Sequence, residues 1–176
     1  SVSPIEDGDI FRVEQLLART NQCNFNKDIL SRSDISKSIE NSEECILKIS
    51  YKDIFGDNGI VGLVHLSFEA DKKIIIKNFV LSCKTFNRYI EESVLTKIIE
   101  KLLESDANVK IFSKFIQTNK NLQYQYFFEK IGFERINEQK YQKLYVYTGL
   151  MKEEEKSIYD IDLSDFMINP RLTEVA

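Results

Sequence analysis

Residues 79–133 constrain the fold more than any other stretch of this chain. They read as an extended apolar strand, a polar turn at 84–88, a long amphipathic helix, a second strand, and a helix ending in Phe127-Phe128-Glu129-Lys130-Ile131-Gly132-Phe133. In the first helix Ile90, Val94, Leu95, Ile98, Ile99, Leu102 and Leu103 form one continuous apolar stripe. A strand that stops where a helix starts turns the unpartnered N–H groups of the helix outward. Such a terminus favours an anion such as a pyrophosphate, which suggests a site for a phosphorylated carrier arm. Glu91 and Glu92 in the first turn suit the helix dipole but make that turn less welcoming to an anion.

The rest of the pattern supplies the elements around this unit. Ile10, Val13, Leu16 and Leu17 recur at helical spacing over 9–19, with Asp9 as the expected cap. Residues 20–26, dense in side-chain amides, predict an ordered loop, and Ser33-Asp34-Ile35 opens a short helix ending near Asn41. Alternation predicts strands at 45–51, 60–68, 73–83 and 108–116, and a final pair at 133–136 and 144–148. The turn at 53–59 joins the first two of these as a hairpin. The order predicts an α/β (α+β) class, a mixed central sheet flanked by helices. A domain over 1–150 is followed by an acidic, irregular extension at 151–176, in which 157–167 forms a terminal helix or an extended arm.

With 176 residues, one domain is the default and the chain is long enough to bury a sizeable core. Apolar residues are 43% and charged residues 30%, ordinary for a soluble globular chain, and no apolar run reaches the ~20 residues of a membrane helix. No basic apolar leader opens the sequence, so no signal peptide and no membrane association are expected. The absence of an initiator Met fits a processed chain or a piece of a longer protein. A net charge of −4 and a pI of 5.2 argue against a nucleic-acid binder. Cys23, Cys45 and Cys83 form neither a disulfide framework nor a zinc pattern, and with His65 as the one histidine no metal site is expected. The expected setting is reducing and cytoplasmic.

Two patterns carry a family resemblance. Leu81-Ser82-Cys83-Lys84-Thr85-Phe86-Asn87-Arg88-Tyr89 resembles the GNAT acyltransferase turn Arg/Gln-x-x-Gly-x-Gly/Ala, whose amides cradle the pyrophosphate of acyl-CoA. Lys84 takes the first position, and Asn87 and Tyr89 stand where glycines belong. Asn121-Leu122-Gln123-Tyr124-Gln125-Tyr126-Phe127-Phe128-Glu129-Lys130-Ile131-Gly132-Phe133 resembles the pattern Asn-x-x-Ala-x-x-Phe-Tyr-x-Lys-x-Gly-Phe. There the Tyr often protonates the leaving thiolate. Phe128 replaces it here and carries no proton to give. Tyr124 and Tyr126 are the alternative donors, on other faces of the helix. Core packing is the competing reading of all these aromatics.

Four further blocks are similar to the FkbH-like family. They are Arg19-Thr20-Asn21-Gln22-Cys23-Asn24, Lys52-Asp53-Ile54-Phe55-Gly56-Asp57-Asn58-Gly59-Ile60-Val61-Gly62, Leu81-Ser82-Cys83-Lys84 and Gln117-Thr118-Asn119-Lys120-Asn121. The resemblance implies the C-terminal GNAT-like half of such a protein. Its HAD-type phosphatase-like half takes a glyceryl unit from 1,3-bisphosphoglycerate, and the unit ends as a thioester on the phosphopantetheine of an acyl carrier protein, for polyketide extension and related pathways. The Asp-x-Asp-x-Thr/Val motif of that half does not occur here. The resemblance thus implies an acyl carrier protein and a HAD half as partners, with carrier-bound phosphopantetheine or CoA as the cofactor.

Cys83 is the candidate nucleophile, since a thiol facing a helix N-terminus has its thiolate favoured. A buried, inert thiol is the alternative. His65 is the candidate base if it faces Cys83, and a structural strand residue otherwise. Thr20, Asn21, Gln22, Asn24, Lys84, Asn87, Arg88, Thr118, Asn119 and Asn121 are the candidate ligands of the substrate or the phosphopantetheine arm. The amides serve equally well to pin their own loop, and Arg88 equally well pairs with Glu92. Three functions follow: an acyltransferase module, a non-catalytic docking module for a carrier protein or the HAD half, and a CoA-dependent N-acetyltransferase.

Overall fold

Three long strands make the antiparallel centre of the sheet: β3 (Glu44–Asp53), β4 (Gly56–Glu69) and β5 (Lys73–Leu81). The computed structural model describes residues 1–27, 30–85, 89–139, 141–149 and 159–166. The β3–β4 turn is tighter than the sequence predicts. Asp53 Oδ1 accepts from the Phe55 N–H at 2.9 Å, and Gly56, at φ 135°, already begins β4. Register shifts between Ser50 and Lys52 absorb the glycine-rich stretch that follows. Ile54 and Phe55 project from this tip, 93% and 89% exposed.

Two helices precede the strands. Asp9 does not cap α1 (Ile10–Arg19) in the expected way. Instead its carboxylate accepts from the Glu6 N–H and from Lys48 Nζ, so it closes the 3-10 turn ahead of the helix. α2 (Arg32–Glu40) opens with a reciprocal capping box between Ser31 and Asp34. Two short strands escape the sequence pattern: β1 (Val2–Pro4), on the rim beside β3, and β2 (Cys23–Asn24), inside the amide-rich loop. Neither is long enough to show a period of two.

The predicted β–α unit is present. β5 ends at Leu81, a 3-10 turn covers Cys83–Thr85, and α3 (Ile90–Ser105) follows. Next come β6 (Lys110–Ile116), the four-residue α4 (Phe127–Lys130), β7 (Phe133–Gln139) and β8 (Gln142–Tyr147). The strand order is β1-β3-β4-β5-β6-β8-β7, with β2 attached to β5. Among these pairs only β5–β6 is parallel, so the sheet is mixed, as expected. α1 and α2 cover one face, where Val13, Leu17 and Ile35 meet Ile46, Leu63 and Val80. The stripe of α3 covers the other, where Val94, Leu95, Ile98 and Leu102 pack with Val64, Ile74 and Phe79. Residues 159–166 form no helix. They run without regular structure to a turn at 164–165, closed by the Phe166 N–H donating to the Leu163 carbonyl, with the Asp162 carbonyl accepting from the Val2 N–H and Phe166 buried in the main core.

Gly62 lies where β4 passes closest to β5. A Cβ there would stand 2.5 Å from both Leu81 Cδ2 and the Val80 carbonyl oxygen. Thermal denaturation is expected to show Gly62→Ala destabilised by about 1–3 kcal/mol, the usual cost of overpacking against a fixed backbone.

Candidate functional site

β5 and β6 pair from Lys73↔Lys110 to Ile76↔Ser113 and then part. Backbone groups exposed by such a parting need partners when buried. The chain supplies them itself. β2 pairs antiparallel with the end of β5, Cys23 opposite Leu81 and Asn24 opposite Val80. β4 lies on the other side of the same residues, so β2 stands between β5 and β6. The Phe25 N–H donates to the Phe79 carbonyl at 3.2 Å, and the Ile116 N–H donates to the Phe25 carbonyl at 2.7 Å. Asn26 Nδ2 donates to the carbonyls of Ile76 and Lys77, at the point where the strands separate.

The wedge is apolar at its centre. Phe25 has no exposed surface, and five rings surround it, those of Phe79, Phe115, Tyr124, Phe127 and Phe128, with centroids 4.8–5.6 Å away. Filling such a site with Phe rather than Ala contributes about 3–5 kcal/mol. A pantetheine arm therefore does not fit between β5 and β6 while residues 23–26 are in place. Phe128, in the position of the expected proton donor, is buried against Phe133 and Tyr145.

Several predicted ligands serve the wedge. Asn24 Nδ2 donates to the Thr20 carbonyl at 3.3 Å and Asn24 Oδ1 accepts from the Lys27 N–H at 3.0 Å. Asn121, fully buried, accepts from the Thr118 N–H and donates to the carbonyls of Ile116 and, at 3.4 Å, Asn24. Both carboxamides pin backbone and face no solvent. Thr20 is buried, and its N–H closes the last turn of α1. Asn21, Gln22 and Asn119 are exposed, while Thr118 Oγ1 accepts from the Lys120 N–H. Lys84 belongs to the 3-10 turn, and Asn87 and Arg88 lie outside the described residues. Phe25 and Asn26 are the residues that sequence reasoning passes over. Their signal is an aromatic between two asparagines in a loop.

At the mouth of the wedge sits a buried polar group of three. Tyr124 Oη donates to Glu91 Oε1 at 3.2 Å, beside the Cys23 thiol. Burial raises the pKa of all three, and the neighbouring Glu91 pushes the Cys23 thiol further up. Cys23 is thus an inert, protonated thiol. Glu91 Oε2 is buried without a hydrogen-bond partner among the described residues. With Glu91 and Glu92 in the first turn, the start of α3 is poorly suited to a pyrophosphate. Tyr89, ahead of that turn, is left-handed at φ 55°, a conformation glycine adopts freely and which costs tyrosine about 1–2 kcal/mol.

Cys83 is exposed, two residues beyond the end of β5. His65 does not face it. His65 pairs with Asn78, five residues and about 15 Å of strand from Cys83. Its ring is buried on the α2 side, with Nε2 3.0 Å from Glu44 Oε2. The same oxygen accepts from Ser38 Oγ at 2.6 Å, and Glu44 Oε1 accepts from Lys77 Nζ at 2.8 Å. His65 therefore helps tie α2 to the sheet rather than serving as a base for Cys83. Burial alone would raise the Glu44 carboxyl, but the hydrogen bonds from Lys77, Ser38 and His65 outweigh it and hold the pKa at about 2.

No protein-family model matches the chain, and no curated protein matches it. Solved structures do. The ribosomal-protein-S18-alanine N-acetyltransferase of Escherichia coli superposes with a TM-score of 0.65 at 10% identity, over 89% of this chain and 98% of that one. An acetyltransferase of the GNAT family from Staphylococcus aureus gives 0.61 at 15% identity, over 84% and 97%. A mutant form of the spermidine N-acetyltransferase SpeG of Vibrio cholerae gives 0.60 at 14%, over 84% and 94%. The chain has the GNAT acetyltransferase fold. Likeness at these identities establishes the architecture, not the substrate.

Two measurements check this geometry. Alkylation followed by peptide mapping is expected to modify Cys83 first and more slowly the half-buried Cys45, whose thiol burial pushes up to about 11, with the buried Cys23 following only as the chain opens. The Glu44 carboxyl stabilises the fold above the unfolded pKa of about 4.3 and loses that contribution as pH falls toward about 2. Urea midpoints should therefore drop across this window, and Glu44→Gln should flatten that part of the slope.

Proposed function

We propose that this chain is an acyltransferase module of the GNAT fold that handles a glyceryl or related acyl group destined for the phosphopantetheine thiol of an acyl carrier protein. The observation that carries this reading is Cys83, exposed beyond the end of β5, beside the parting of β5 and β6 that residues 23–26 now fill. Support also comes from the sequence blocks at 19–24, 81–84 and 117–121, whose Cys23, Leu81 and Asn121 meet around this parting, while the block at 52–62 reaches it only at Gly62, opposite Leu81. Asn24 and Asn121 bridge the parted strands, and Ser82-Cys83 follows β5. Cys83 is the only exposed thiol of the three cysteines. The partners of this reading are the carrier protein and a HAD-type half that supplies the acyl group. The amide-bearing arm is the shared chemistry of a carrier's phosphopantetheine and of CoA.

A CoA-dependent N-acetyltransferase is the second reading, favoured by the activities in the names of the structural neighbours. Glu91 and Glu92 in the first turn of α3, and Phe128 in place of a proton-donating Tyr, favour the carrier reading over it.

Intact-mass measurement of a holo-carrier incubated with this chain, a HAD half and its glyceryl donor tests the proposal. Glyceryl loading is expected with wild type and is expected to be lost with Cys83→Ala at unchanged melting temperature. Equal loading by the variant removes Cys83 from the reaction. Equal loading without this chain leaves it a docking module, and acetylation of amines from acetyl-CoA would favour the second reading.

A further inference from the structure

We infer that residues 23–26 are a built-in plug of the gap between β5 and β6, and that an amide-bearing phosphopantetheine arm occupies this gap only by displacing them. The inference rests on the proposed reading that such an arm is what the module receives.

Three observations point to a plug rather than to a permanent strand of the sheet. The first is complementarity. Withdrawal of the segment would release the carbonyls of Ile76, Lys77 and Phe79 on β5 as acceptors and the Ile116 N–H on β6 as a donor, on the two facing edges of the gap. A peptide-like arm, with its own N–H and C=O groups, can answer both kinds. The second is imperfect satisfaction of the closed state. Asn26 Oδ1, Ser113 Oγ and Glu91 Oε2 are buried around the segment, and none has a hydrogen-bond partner among the described residues. Ser113 and Asn26 mark the inner end of the gap, where β5 and β6 cease to pair, and Glu91 stands beside Cys23 at its outer end. Protein interiors leave few such groups. The third is how the segment is attached. Only two of its residues are strand, and beside that short ladder, the two backbone bonds of Phe25 and the packing of its ring, the segment is pinned by carboxamides: Asn24 to the Thr20 carbonyl, Asn121 to the Asn24 carbonyl, and Asn26 to β5. Lys27, next in the chain, is left-handed at φ 58°, a strained joint at which the segment leaves the sheet.

The geometry makes Cys23 a reporter. It is wholly buried in the closed state and belongs to the plug. A variant with Cys45→Ala and Cys83→Ala keeps Cys23 as its sole thiol. Its alkylation rate is followed with and without CoA, a holo-carrier and the apo-carrier, while binding is measured by titration calorimetry. The expected result is binding of the arm-bearing probes accompanied by alkylation about tenfold faster or more, with no effect of the apo-carrier. Binding that leaves Cys23 protected overturns the plug and leaves the acyltransferase reading standing. If the closed state is too stable for wild type to bind, Asn26→Ala, which frees the inner end while keeping Phe25, is expected to bind the same probes. Failure of wild type and Asn26→Ala alike to bind either probe overturns both the plug and the reading on which it rests. Circular dichroism of the variant secures the comparison, and Asn121→Ala, which loosens the outer pin, repeats it if Asn26→Ala does not fold.

Discussion

Two parallel strands that separate partway along their length pose a problem of unanswered backbone, and the rest of this structure is arranged around its answer. Past Ile76 and Ser113 the facing edges of β5 and β6 would be buried with no partners. The loop between α1 and α2 reaches across and supplies Phe25, Asn26 and β2. That one insertion fixes the path between the first two helices, gives the aromatic cluster of α4 its centre, and brings the start of α3 against Cys23. It also explains why the loop is rich in amides. A carboxamide has both a donor and an acceptor, so Asn24 and Asn121 can each hold two stretches of backbone at once.

The ionic groups divide between the two faces. On the α2 side Glu44 gathers Ser38, His65 and Lys77 and fastens the helix to β3, β4 and β5. On the α3 side the buried carboxyl is Glu91, which has a phenol hydroxyl and a thiol as neighbours and, among the described residues, no cation in hydrogen-bond contact. The hydrogen bonds of the first hold its carboxyl down at about 2, whereas burial raises the pKa of the second. Two carboxyl groups, one on β3 and one on α3, are thus set apart by the partners available on the two faces of the sheet.

Much of the architecture was legible in the chain. The stripe of α3, the alternation of β3, β4 and β5, and the β–α unit all follow from long periodic runs. The same reading gave the mixed sheet with helices on its faces. β1 and β2 were not legible, because strands of three and two residues carry no period. The hairpin at Asp53 was tighter than its glycines suggested, since Asp57 organises the residues after it by accepting from the Gly59 N–H inside β4. The site was partly legible. Residues 20–26 and 117–121 stood out by their amides, and they do meet, across 97 residues, through Asn121 and Asn24. What spacing could not convey was direction. Asn24 and Asn121 point at backbone, His65 points at Glu44, and Phe25 fills the gap that the parting of the strands creates.

The two rims of the sheet discourage the addition of another strand. On one side β1 is three residues long and contains Pro4, and the Val2 N–H is already taken by Asp162. On the other, β7 presents exposed Glu134, Arg135, Asn137 and Glu138 around a register shift. Edge-to-edge growth, the common hazard of open sheets, is therefore blocked at both margins. The extended segment that the sheet admits without growing at its margins is the chain's own, residues 23–26, set between two strands already in it.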